Sequence, residues 1–163
     1  MATPTTLPAA FTAGQVLTAA QQNALRGAFR VLQVVQATNA TTTTISTNAY
    51  TSIGPLSATI TPSATSSKIL VFATVGAILK ENNTWAGVQL FRGATGVFTA
   101  GDYVSYNGAT QANGSSASLM YLDSPATVSA TTYEIKVASR NNASYVQVNA
   151  GATNSIILME ISA

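Results

Sequence analysis

From Arg30 to the C-terminus the chain is a succession of short runs of β-branched and aromatic residues, each closed by turn-forming residues. The separators are Gly54-Pro55, Thr61-Pro62-Ser63, Glu81-Asn82-Asn83, Arg92-Gly93, Asn107-Gly108, Asn113-Gly114, Ser124-Pro125 and Asn141-Asn142. Gly takes positive φ without strain, Pro fixes φ and removes a donor, and Asn bonds its own backbone, so each of these groups suits a turn. The runs between them fit a pleated surface better than a helix. Strands are predicted near 30–37, 42–47, 56–60, 68–79, 84–92, 95–99, 117–123, 131–139, 144–149 and 155–162. Eight to ten strands at this spacing make an all-β domain, a sandwich of jelly-roll type or a barrel. No fixed period suggests a solenoid or a propeller. The segment from Gly101 to Ser116, with two Asn-Gly pairs, reads as a long exposed connection.

The strands are of two kinds. In Thr132-Tyr133-Glu134-Ile135-Lys136-Val137 the apolar and polar side chains alternate, so one face is buried and the other is wet. In Ile69-Leu70-Val71-Phe72-Ala73-Thr74-Val75 and Ile156-Ile157-Leu158-Met159-Glu160-Ile161 both faces are largely apolar. A sandwich has one interior, so the second face needs its own cover. The N-terminal helix, loops of the same chain, or a neighbouring subunit could each supply it, and strands lining a three-fold axis are one solution.

Composition sharpens this point. Charged residues are 7% of the 163, while the apolar fraction is 47%, against roughly 25% charged in an ordinary soluble domain. A disordered chain would have few apolar residues and high net charge, the opposite pattern. With so few charges there is little electrostatic resistance to self-association. The length suits one well-cored domain with a short extension. The basic residues Arg26, Arg30, Lys68, Lys80, Arg92, Lys136 and Arg140 are scattered and form no stripe that could track phosphates, so no nucleic-acid partner is expected.

Residues 1–14, with Pro4 and Pro8 among Thr and Ala, favour an extended arm. Thr18-Ala19-Ala20-Gln21 has the spacing of a capping box, predicting a short helix through Gln22–Arg26 that stops at Gly27. The N-terminus lacks the basic and apolar regions of a signal peptide. The longest apolar run, Ile69 to Leu79, falls short of the ~20 residues that span a bilayer as a helix. A soluble protein made in a cytoplasm, without membrane insertion, is the expectation.

Catalytic chemistry has little material. There is no His and no Cys, which removes the usual zinc sites, thiolate chemistry and His-dependent triads. The carboxylates are Glu81, Asp102, Asp123, Glu134 and Glu160. A glycosidase pair would need two of them across a bond, and Asp102 with Asp123 is the pairing that predicted loops allow. No EF-hand or phosphate-cradling loop occurs, so no catalytic residue, metal or cofactor is expected. Gly87, Gly93, Gly96 and Gly101 read as turn or strand-edge residues, and the four Asn-x-Ser/Thr sequons are expected by chance in so Asn- and Thr-rich a chain. Trp85, Tyr103, Tyr106 and Tyr121 are either core and interface aromatics or a ligand platform, with Tyr103 and Tyr106 in the long connection the outer-loop candidates.

The opening Phe11-Thr12-Ala13-Gly14-Gln15-Val16-Leu17-Thr18-Ala19-Ala20-Gln21-Gln22-Asn23 resembles a segment common near the start of small bacteriophage structural proteins and tail-fibre modules. Val31–Thr38, Leu56–Pro62, Ser66–Val71 and the closing Ser155–Ile161 look like the β-domain that follows it there. The resemblance covers most of the chain. It implies a trimeric jelly roll of the TNF or C1q type, assembled in the host cytoplasm and carried on the outer surface of the virion as a capsid decoration or cement protein, a head fibre, or a tail-fibre tip. The compact size favours the capsid. Residues 1–29 would then be the attachment segment, with Pro4, Leu7, Pro8, Phe11, Val16 and Leu17 on the major capsid protein. Residues 30–163 would be the trimerising jelly-roll sandwich, with Leu70, Phe72, Ile157 and Met159 at the homotrimer interface. In the alternative, a fibre-tip module binds host surface polysaccharide through Tyr103 and Tyr106.

Overall fold

The computed structural model describes residues 13–22, 31–81, 83–106, 113–141, 145–149 and 151–162. Its strands are β1 (Val31–Asn39), β2 (Thr43–Ile45), β3 (Thr51–Ile60), β4 (Lys68–Lys80), β5 (Ala86–Arg92), β6 (Thr95–Val104), β7 (Asn113–Asp123), β8 (Thr131–Ser139), β9 (Val146–Val148) and β10 (Asn154–Ile161). All pair antiparallel. In the first sheet β1, β10, β4 and β7 lie side by side, and the short β9 and β2 extend it beyond the end of β10. In the second the order is β3, β8, β5, β6. The pairs β5–β6, β4–β7, β3–β8 and β1–β10 are nested one inside the next. An antiparallel ribbon rolled up in this way into two facing sheets is a jelly roll.

Alternation decides which side chains fill the interior. Tyr133, Ile135 and Val137 of β8 are fully buried, as are Ile69, Val71 and Val75 of β4, Ile156 and Leu158 of β10, and Val88 and Leu90 of β5. Pairing between distant strands corrects two of the strand boundaries expected from turn residues. Gly54-Pro55 lies inside β3, at the irregularity between Ser52 and Ser57, and does not precede the strand. A bulge frees the proline of any ladder bond to donate, and Gly54 takes φ +82° there. A Cβ on Gly54 would also lie 2.8 Å from Asn39 Nδ2, which donates to the Ile53 carbonyl at 2.7 Å. Likewise Asn113-Gly114 opens β7, because Lys80 and Leu79 at the far end of β4 pair with it. The connection expected over 101–116 is therefore shorter: β6 continues to Val104, and Ser105 and Tyr106 are its described residues.

The capping box forms. Thr18 N–H donates to Gln21 Oε1 at 2.9 Å and Gln21 N–H to Thr18 Oγ1 at 3.3 Å, opening a helical turn over residues 19–22. The rest of the expected helix and residues 1–12 of the arm lie outside the described residues.

Charged side chains also lie in the interior: Lys80, Asp123 and Glu160 are buried. Glu160, on the inward face of β10, is fully buried. Ser63 N–H donates to its Oε1 at 2.7 Å, and Gln33 Nε2 and the Ser63 hydroxyl donate to Oε2 at 2.6 and 3.2 Å. Gln33 Nε2 also reaches the Thr61 carbonyl at 2.7 Å, so the carboxylate ties β1, β10 and the β3–β4 loop together. Burial pushes its pKa up, but the donors from Gln33, Ser63 and Ser67 outweigh that and hold it below the ordinary carboxyl value. A depressed folded-state pKa gives stability that is complete above the unfolded value of about 4.3 and is lost as pH falls through the folded value. Glu160→Gln turns an amide N–H₂ toward existing donors. It is expected to cost about 1–3 kcal/mol at pH 7 by denaturant unfolding, and to reduce the loss of stability that wild type undergoes below pH ~4.

Candidate functional site

The two sheets differ in what they show to the outside. On the second sheet the outer face is finished with polar groups: Lys136 Nζ lies 3.5 Å from Glu134 Oε2 and 4.6 Å from the centre of the Phe91 ring, and Thr59 and Thr132 share a hydroxyl bond of 2.8 Å. Phe91 is covered by the lysine above it. This is the ordinary wet face of an antiparallel sheet.

The first sheet is different. Strand register places Val34, Met159, Leu70 and Leu122 in one row across β1, β10, β4 and β7, and Gln36, Ile157, Phe72 and Met120 in the next. Both rows point away from the interior, because the alternate residues Val71, Ala73, Ile156 and Leu158 fill the core. Val34, Met120 and Leu122 are 56, 64 and 54% exposed. A third row, Thr38, Ser155, Thr74 and Ser118, borders them, with Thr74 and Ser155 hydroxyls 3.1 Å apart. No ionisable group stands in the three rows. Between Phe72, Ile157 and Met120 on one side and Thr74, Ser155 and Ser118 on the other, a groove opens outward, lined by strands of this sheet alone. A contiguous apolar surface of this kind marks an interaction site.

The four residues expected at an interface, Leu70, Phe72, Ile157 and Met159, fall together in this patch, Met159 opposite Leu70 and Ile157 opposite Phe72. Val34, Met120 and Leu122 were missed. The signal for the last two was present, since Leu119-Met120-Tyr121-Leu122 is apolar on both faces of a strand. Of the expected attachment residues, Val16 and Leu17 are exposed, while Pro4, Leu7, Pro8 and Phe11 lie outside the described residues. Tyr103 and Tyr106 are exposed and meet Trp85 at the opposite sheet.

The carboxylates are held apart. Asp102 pairs with Arg140 beside Gly87, and Asp123 with Arg92, so they sit at opposite ends of β5. Five residues of strand separate those ends, about 17 Å at 3.3–3.4 Å per residue, beyond the span of a glycosidase pair. Asp123 is buried, accepting from Arg92 Nη1 at 2.7 Å and from the Tyr133 hydroxyl at 2.6 Å. Burial, then the bond to Asp123, raises the Tyr133 pKa, so this phenol remains a donor. Among the described residues no group of three or more Asp and Glu is placed to hold a metal ion. No protein-family model and no curated protein matches the chain.

Asp123 thus acts as a brace between β7, β5 and β8. Asp123→Asn is expected to lower the unfolding free energy by about 2–3 kcal/mol, since two bonds to a charged acceptor are weakened; a change within ~0.5 kcal/mol of wild type, the usual range for a surface site, would contradict that role.

Proposed function

We propose that this chain is a non-enzymatic structural protein of a bacteriophage particle, a homotrimeric capsid decoration protein that stabilises the shell. The observation that carries the reading is the charge-free apolar face formed by the rows Val34–Met159–Leu70–Leu122 and Gln36–Ile157–Phe72–Met120. Each large aliphatic side chain moved from water to a packed interface contributes about 1.5–3 kcal/mol, so this surface suits permanent cover better than solvent. Three copies around an axis cover it with one closed, head-to-tail interface. The trimer and the virion come from the resemblance of the opening segment and β-domain to phage structural proteins; the face fits that expectation.

In this reading residues 1–29 attach to the major capsid protein, and Val16 and Leu17 are exposed where such contact requires it. Three arms on one trimer engage together. Weak single contacts then gain by effective concentration, by a factor of about 10²–10⁴ when the geometry fits. The polar outer face of the second sheet is left toward solvent. A second reading, a receptor-binding module at an appendage tip, is favoured by one observation, the exposed rings of Tyr103 and Tyr106 against a half-buried Trp85.

Localisation by electron cryomicroscopy of the intact particle tests the assignment. Trimeric density over the capsid lattice is expected, and density confined to the ends of tail appendages would replace it with the receptor-binding reading. Deleting residues 1–14 is expected to abolish capsid occupancy; unchanged occupancy would refute the anchoring role. Ile157→Lys places a charge in the centre of the apolar face. It is expected to keep the far-ultraviolet β-sheet spectrum while reducing affinity for particles by about 100-fold, through loss of joint attachment.

A further inference from the structure

Three aromatic rings gather where β5 begins and β6 ends. Trp85 and Tyr103 are stacked, with centroids 5.5 Å and planes 15° apart. Tyr106 stands nearly perpendicular to both, 5.2 Å from Trp85 and 6.0 Å from Tyr103. Despite these contacts Tyr103 is 67% and Tyr106 52% exposed. Trp85 backs one face of Tyr103, so the other face is open to solvent on a support that fixes its orientation.

A polar group adjoins this platform. Arg140 holds Asp102 through Nε to Oδ1 at 2.9 Å and Nη2 to Oδ2 at 3.0 Å, and its Nη1 donates to Asn48 Oδ1 at 3.1 Å. The Tyr50 hydroxyl donates to Asp102 Oδ1 at 3.3 Å. Backbone ties the two halves together: Arg140 N–H donates to the Trp85 carbonyl at 2.9 Å, and Asp102 precedes Tyr103 in β6. Gly87 makes the arrangement fit, because a Cβ there would lie 2.9 Å from both Asp102 Oδ1 and the Tyr50 hydroxyl. The pair carries no net charge, yet Asp102 Oδ2 keeps one lone pair and Arg140 keeps one N–H on each Nη in a fixed fork.

An open ring face attracts weakly positive C–H groups through its quadrupole. Fixed donors and acceptors of zero net charge beside it suit hydroxyls, whereas an apolar ligand would desolvate the ion pair with nothing in return. A sugar ring presents C–H groups on one face and hydroxyls at its rim. We infer that Trp85, Tyr103, Tyr106, Asp102 and Arg140 form a binding site for a neutral hexopyranose unit of a glycan. The site lies on the second sheet and does not depend on the apolar face of the first, so its test is separate from that of the trimer.

Trp85 is the single tryptophan of the chain, and its fluorescence reports on the platform. The full-length protein would be titrated with the methyl glycosides of glucose, galactose, mannose and N-acetylglucosamine and with their linear oligomers, following fluorescence and backbone amide shifts. A saturable response to at least one sugar is expected, with Kd of about 1 mM or tighter. Tyr103→Ala should weaken it at least tenfold with an unchanged far-ultraviolet spectrum, because that side chain is largely exposed. Arg140→Lys, which keeps the charge and loses the fork, should weaken it severalfold. No saturable response to any of these sugars by either method, or a response unaltered in both Tyr103→Ala and Tyr106→Ala, would overturn the assignment.

Discussion

A two-layer sandwich has one interior, and the first sheet of this molecule is apolar on both of its faces. The inward face meets the second sheet and forms the core through Ile69, Val71, Ile156 and Leu158. The outward face carries Leu70, Phe72, Ile157 and Met159 at the centre, with Val34, Met120 and Leu122 exposed around them. The second sheet, built on the same alternation, ends in threonines and a Glu134–Lys136 pair on its outer side. The difference between the two outer faces, together with a charge content of 7%, is what the proposed association rests on, since surface hydrophobics scattered singly are normal and a contiguous apolar face is not.

The sandwich itself is complete without that outer face. Its two most buried carboxylates are satisfied internally, Glu160 by Gln33 and Ser63 and Asp123 by Arg92 and Tyr133. Each joins three elements: β1, β10 and the β3–β4 loop in one case, β7, β5 and β8 in the other. Removing a partner from such a group leaves a buried charge in a low-dielectric interior without its donors, so these contacts add to the aliphatic core in fixing the roll. The outer apolar rows contribute nothing comparable to the interior, and the proposed trimer would give them a role.

Much of the fold could be read from the sequence where period alone decided it. The alternation in Thr132–Val137 marked β8, and the largely apolar runs of β4 and β10 marked the sheet with two apolar faces. The failures share a cause. Gly54-Pro55 and Asn113-Gly114 carry strong local turn signals, but pairing with distant strands absorbed one into a bulge and the other into the first ladder positions of β7. Glu160 finds its hydrogen-bond donors only when β1 and the β3–β4 loop arrive beside it. The joining of Trp85 to Tyr103 and Tyr106, and of Asp102 to Arg140, depends in the same way on β5–β6 and β5–β8 register, which no local pattern encodes.

The central claim is that the outer face of the β1–β10–β4–β7 sheet is buried between three copies of the chain. Sedimentation equilibrium of the full-length protein addresses it most directly, at concentrations reaching down to about 1 μM, where a contact of only millimolar strength would have dissociated. The account predicts a single species of three times the 16.7 kDa protomer mass. A species of 16.7 kDa across the same range would contradict it.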